Sequence, residues 1–136
     1  MKRIVALLVV VLMLVLSLAA CGGIPSDPEK LEAKFKDMGV EDVMIVSDNE
    51  DIEDALGSLG VKIDAVEYVA VAELDDPYED GSVTIVSCSE SEIADAMEKA
   101  FKVQVAAQAI FMKDYVVERE GDIVFCGPAS FWEDFN

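Results

Sequence analysis

VTIVSCSESEIADAMEKAFKVQVAAQAIF, residues 83–111, changes its hydrophobic period part-way along. Val83 to Cys88 is a short run rich in β-branched residues, the pattern of a strand. Ser89-Glu90-Ser91-Glu92 follows with the S-x-x-E spacing of a capping box, in which Ser89 caps the helix and Glu92 reaches back. Beyond it, Ile93, Met97, Ala100, Gln104, Ala107 and Phe111 recur at helical spacing, with Ala94, Phe101, Val105, Gln108 and Met112 on a neighbouring stripe. The expectation is a strand that leads directly into a helix of about 24 residues, roughly 36 Å long. Cys88 and Ile93 then occupy the N′ and N4 positions of a hydrophobic staple.

On the N-terminal side, Val66 to Leu74 reads as a strand paired to Val83–Cys88, with Asp80-Gly81 supplying turn chemistry. Further back, Asp27-Pro28-Glu29 opens a helix carrying Leu31, Phe35 and Met38, closed by Gly39. Val43 to Val46 is a short apolar run expected to be a buried strand. Glu50 to Leu59 places Ile52, Leu56 and Leu59 on one helical face before Gly60. On the C-terminal side, Tyr115–Arg119 and Asp122–Cys126 form a hairpin around Glu120-Gly121. A short helix from Gly127-Pro128 then carries Phe131, Trp132 and Phe135, with Phe131 and Phe135 expected to dock on the core. This order predicts an α+β fold: a single small domain, mostly antiparallel sheet with helices packed on one face.

The N-terminus has a different character. Lys2 and Arg3 precede 13 residues, Ile4 to Leu16, without a polar side chain. That length suits the apolar region of a secretory signal better than a membrane span. Leu18-Ala19-Ala20-Cys21 closes it with small residues and a thiol. These four residues, with the two regions before them, resemble the lipobox of bacterial lipoproteins. The resemblance implies cleavage between Ala20 and Cys21, a diacylglyceryl thioether on Cys21 and often acylation of the new amino group, palmitate included. The alternative is an uncleaved signal anchor. The implied organisation is residues 1–20 as signal peptide, 21–27 as lipidated cysteine and short tether, and 28–136 as an acidic domain. The stretch GDIVFCG, Gly121 to Gly127, with the short helix after it, is similar to the ends of small lipoprotein domains of clostridial-type bacteria. That resemblance implies no activity.

Charge narrows the function classes. Removal of Lys2 and Arg3 leaves 8 basic residues against 28 acidic ones, a net −20. Such a surface repels phosphate backbones, so nucleic-acid binding is excluded. Histidine is absent, which removes the commonest general base and zinc ligand.

Each remaining candidate has a bland reading beside the chemical one. Asp75, Asp76, Glu79 and Asp80 could hold a calcium ion through oxygen ligands, but positions three and twelve counted from Asp76 are Tyr78 and Ser87, which breaks the EF-hand pattern. Asp48, Glu50, Asp51, Glu53 and Asp54 read equally as a helix start complementing its dipole. Cys88 and Cys126 each end a strand. A disulfide is the alternative, and two buried free thiols the reading taken. Ser87, Ser89 and Ser91 have no histidine partner, no G-x-S-x-G elbow is present, and no phosphate loop occurs. Gln104 and Gln108 sit four apart as a polar contact face or a boundary. The expectation is a non-enzymatic, lipid-anchored extracytoplasmic domain that acts by binding or envelope association, attached to the cell membrane through acyl chains on Cys21, with no cofactor. A calcium- or cation-responsive surface module is the first alternative and an enzyme of unidentified type the second.

Overall fold

The computed structural model describes residues 23–74, 81–112 and 114–135. In chain order these form α1 (Pro28–Asp37), β1 (Val43–Val46), α2 (Asn49–Leu56) with a 3₁₀ turn (Gly57–Leu59), β2 (Val66–Glu73), β3 (Ser82–Cys88), α3 (Ser91–Ala107), β4 (Tyr115–Glu120), β5 (Ile123–Pro128) and α4 (Ala129–Phe135). The five strands make one antiparallel sheet in the order β1-β2-β3-β5-β4. The fold is a single small α+β domain. β5 is inserted between β3 and β4, so the chain leaves β3, crosses by α3 to the edge, and turns back into the gap.

The helices do not share one face, as expected from sequence; they cover both. Tyr68, Ala70, Ala72, Val83, Ile85 and Phe125 pack with Leu31 and Phe35 of α1 and Phe131 and Phe135 of α4. On the opposite face Val69, Val86, Cys88, Val124 and Cys126 pack with Ile52 and Leu56 of α2 and Ala94, Met97 and Phe101 of α3. The reason lies in the central strands: successive residues Tyr68, Val69 and Ala70 are all buried, as are Ile85 and Val86. A strand apolar on both faces needs a layer on each.

At the start of β2, Val66 pairs with Cys88 and Tyr68 with Ser87, so Glu67 is an extra residue, a bulge. The bulge turns Val66 toward the α2/α3 face while Tyr68 faces α1 and α4. The first face is aromatic. Phe35 lies 5.8 Å from Phe131 and 5.6 Å from Phe135, and Phe125 lies 4.7 Å from Trp132, which flanks the cluster. Gly127 sits where a Cβ would lie 2.9 Å from Val83 Cγ2, so a side chain there would press into the neighbouring strand.

Four local expectations change. β1 is a half-buried edge strand with Met44 54% exposed, because it pairs with β2 on one side only. Gly127 and Pro128 end β5 rather than opening α4. The capping box does not form: Glu90, not Ser89, is the N-cap of α3, without a side-chain bond. Ser89 instead extends the sheet, its N–H donating to the Ala65 carbonyl at 2.7 Å and its hydroxyl to the same oxygen at 3.2 Å. The shift also takes Cys88 and Ile93 out of staple register. Finally, α3 has 17 residues and stops at Gln108. The last buried side chain on it is Phe101, while Ile110 and Phe111 are 87% and 85% exposed. Periodicity continues, but no sheet surface remains beneath it to stabilise further turns.

Candidate functional site

The sequence candidates scatter. Cys21 lies outside the described residues, as does the acidic set Asp75, Asp76, Glu79 and Asp80. Asp48, Glu50, Asp51, Glu53 and Asp54 are all exposed at and along α2. Among the described residues no cluster of three or more Asp, Glu, Cys or His side chains could hold a metal.

Cys88 and Cys126 are buried free thiols. Cys126 pairs with Thr84, four residues back along β3 from Cys88, a separation of about 13 Å. A disulfide needs Cα atoms within about 7 Å, so these two cannot join without breaking the register. Burial pushes both thiols up to about 11. For Cys88 the charges of Asp122 and Glu67 add to this, and Arg119 opposes it. Both shifts run opposite to the lowered values of reactive cysteines, and both side chains are buried. The three serines are engaged structurally: Ser87 donates to Glu67 at 3.3 Å, Ser89 to Ala65, and Ser91 to Asp122 at 3.0 Å. Gln104 and Gln108 line a shallow groove of about 540 Å³ between α3 and the 3₁₀ turn, with Leu59, Lys99 and Val103.

Two clusters were not visible in the sequence. Arg119 on β4 ties that edge to α3 and to the hairpin turn. It pairs with Asp95, with Glu98 at 3.6 Å and with Asp122 at 3.6 Å, and its Nε donates to the Gly121 carbonyl at 2.8 Å. Its acidic partners raise the guanidinium above its ordinary value, Asp95 foremost.

The second cluster clamps the N-terminal end of the described chain. Ile24 is buried in the aromatic core at 8% exposure. Its N–H donates to Glu120 Oε2 at 2.8 Å, Lys34 Nζ donates to the Gly23 carbonyl at 3.1 Å, and the Tyr68 hydroxyl donates to the Pro25 carbonyl at 3.0 Å. Lys34 also lies 4.1 Å above the Phe135 ring. Burial holds the Lys34 ammonium below its ordinary value, and the Glu120 charge partly offsets this. Burial also pushes the Tyr68 phenol up to about 12, helped by Glu67 and Asp27. Gly23 packs so close to Glu120 that a Cβ would stand 2.9 Å from its Oε2. Residues 23–25 are therefore a strap on the domain rather than free tether. The sequence reads these residues as part of a short tether, because their partners come from strands and a helix remote in sequence.

Compared with protein-family models, curated proteins and solved structures, the chain finds no match in any of the three. No helix among the described residues is long and apolar enough to cross a membrane.

Proposed function

We propose that the protein is a lipid-anchored lipoprotein of the extracytoplasmic face, a non-catalytic binding or envelope-associated domain held at the membrane by acyl chains on Cys21. The observation that carries this reading is Leu18-Ala19-Ala20-Cys21 behind Lys2, Arg3 and the apolar run Ile4–Leu16. It is supported by the packing of Gly23–Pro25, the described residues nearest the acylation candidate, which are bonded to Lys34, Glu120 and Tyr68 of the domain. Two or three acyl chains anchor stably where one is marginal. Buried, high-pKa thiols and serines already engaged in bonds to the fold favour binding over catalysis.

The test is Cys21→Ser expressed in a bacterial host with labelled fatty acid. The parent chain is expected to carry label and to stay in the membrane fraction. The variant is expected to lose the label and remain unprocessed or mislocalised. Equal membrane retention of both, with the signal still attached, overturns the lipoprotein reading in favour of an uncleaved anchor.

A further inference from the structure

We propose that the Gly23–Pro25 strap orients the domain on the membrane, with the β4–β5 turn and the start of α3 toward the lipid surface and the uncharged end of α3 away from it. The inference rests on the lipid-anchor reading above and adds a membrane-facing surface to it.

One end of the sheet gathers the strap contacts. Glu120 ends β4, and Tyr68 lies at the start of β2 opposite Ser87 near the end of β3. Ser87 in turn pairs with Ile123 at the start of β5. The first turn of α3 belongs to the same end, since the Ser91 hydroxyl bonds Asp122 and the Cys88 N–H donates to the Asp122 carbonyl at 2.9 Å. The opposite end holds Tyr115, which follows directly from the exit of α3, its N–H bonding the Met112 carbonyl at 3.1 Å. β4 spans about 17 Å between these ends and α3 about 25 Å.

Cys21 stands two residues before Gly23, a reach of at most about 7 Å. Three hydrogen bonds and a buried Ile24 hold the strap, so the reach starts from a fixed point on the domain. An acyl chain at Cys21 therefore draws the strap end to the bilayer. Glu90, Glu120 and Asp122 then face the headgroups. Val103 to Met112, ten residues without a charge in a net −20 domain, are carried outward. Ile110 and Phe111 on that stretch are exposed.

The experiment uses the lipidated full chain in phosphatidylcholine vesicles, with a fluorophore on Glu90→Cys or on Ile110→Cys and spin-labelled headgroups as quencher. Flotation and the acyl mass on Cys21 are measured first. Quenching at position 90 is expected to exceed that at position 110 several-fold. A ten-residue Gly/Ser insertion between Gly22 and Gly23, which leaves the strap untouched, adds roughly 18 Å of slack and is expected to abolish the difference. Vesicle-bound, acylated protein with equal quenching at both sites overturns the orientation and leaves the anchor reading standing. Failure to float, with no acyl mass on Cys21, overturns the anchor reading and the orientation with it.

Discussion

Glu120, the last residue of β4, accepts a hydrogen bond from the backbone N–H of Ile24, 96 residues earlier in the chain. This contact, with the Lys34–Gly23 and Tyr68–Pro25 bonds, holds the strap on the domain, and it alone of the three reaches the β4 edge. It also couples residues 23–25 to the turn between β4 and β5.

Glu120→Ala leaves the Ile24 N–H without its charged acceptor. Hydrogen bonds to charged groups contribute about 1.5–3 kcal/mol, and a part-buried donor falls toward the low end. Urea unfolding is expected to show a loss of about 1–2 kcal/mol. Amide exchange at Ile24 is expected to accelerate more than that in β3. Uniform acceleration across both would show that the strap is not a separable element.

The two cores predict independence. Ile85→Val on the α1/α4 face and Ile52→Val on the α2/α3 face should each cost about 0.5–1.5 kcal/mol. Because the sheet separates them, the double variant should equal the sum within about 0.5 kcal/mol. A coupling well beyond that would contradict two cores on opposite faces.

Gly127→Ala is expected to destabilise by about 1–3 kcal/mol through overpacking against Val83. Val83→Ala in the same chain should recover part of that loss although Val83→Ala alone is destabilising. Thermal melts of the four chains test this cycle, and simple additivity would refute the steric account.

Alkali should unfold the domain through its buried acids. Cys88 and Cys126 are raised from 9.0 to about 11 and Tyr68 from 10.0 to about 12. A group that binds its proton more tightly when folded stabilises fully below its unfolded value. That stabilisation is lost as pH rises through the folded one. Stability is therefore expected to fall from about pH 9 onward. The fall should become shallower in Cys126→Ala. In the Cys21→Ser chain, a thiol reagent at neutral pH should find both remaining cysteines only after denaturant is added.

Removal of Arg119 separates charge from packing. Arg119→Met keeps the aliphatic stem and deletes the pairs to Asp95, Glu98 and Asp122. A lower Tm at low salt, narrowing toward the parent at high salt, is expected because screening weakens both the lost attraction and the uncovered acidic repulsion. A deficit independent of salt would point to the Arg119–Gly121 bond in the turn instead.

Local chemistry marked out most elements in advance. Asp27 accepts from the Glu29 N–H as an N-cap should, and Pro28 stands at the first turn. Gly39, Gly60 and Gly121 take positive φ at the turns where their elements end. Phe131 and Phe135, four apart, bury the face of α4 that their spacing implied. What failed was local signal outcompeted by pairing. Ser89 has the spacing of a cap, but the sheet takes it, since the Ala65 carbonyl offers both its N–H and its hydroxyl a partner. Apolar residues from Val105 to Phe111 keep a helical period, yet the helix ends where the surface beneath it ends.

The sequence by itself determined the α+β class, the antiparallel hairpins and the caps of α1, because turn residues and hydrophobic periods act over a few positions. It also carries the Leu18-Ala19-Ala20-Cys21 spacing on which the lipoprotein proposal rests, and the acidic imbalance, which are properties of composition and short spacing. Only the tertiary structure decided the placement of β5 between β3 and β4, the division of the helices between two faces, the Arg119 network and the strap on Glu120. Strand order and helix layers follow from which apolar faces must be covered once the strands have paired, and Arg119 with Asp95, like Glu120 with Ile24, joins residues tens of positions apart.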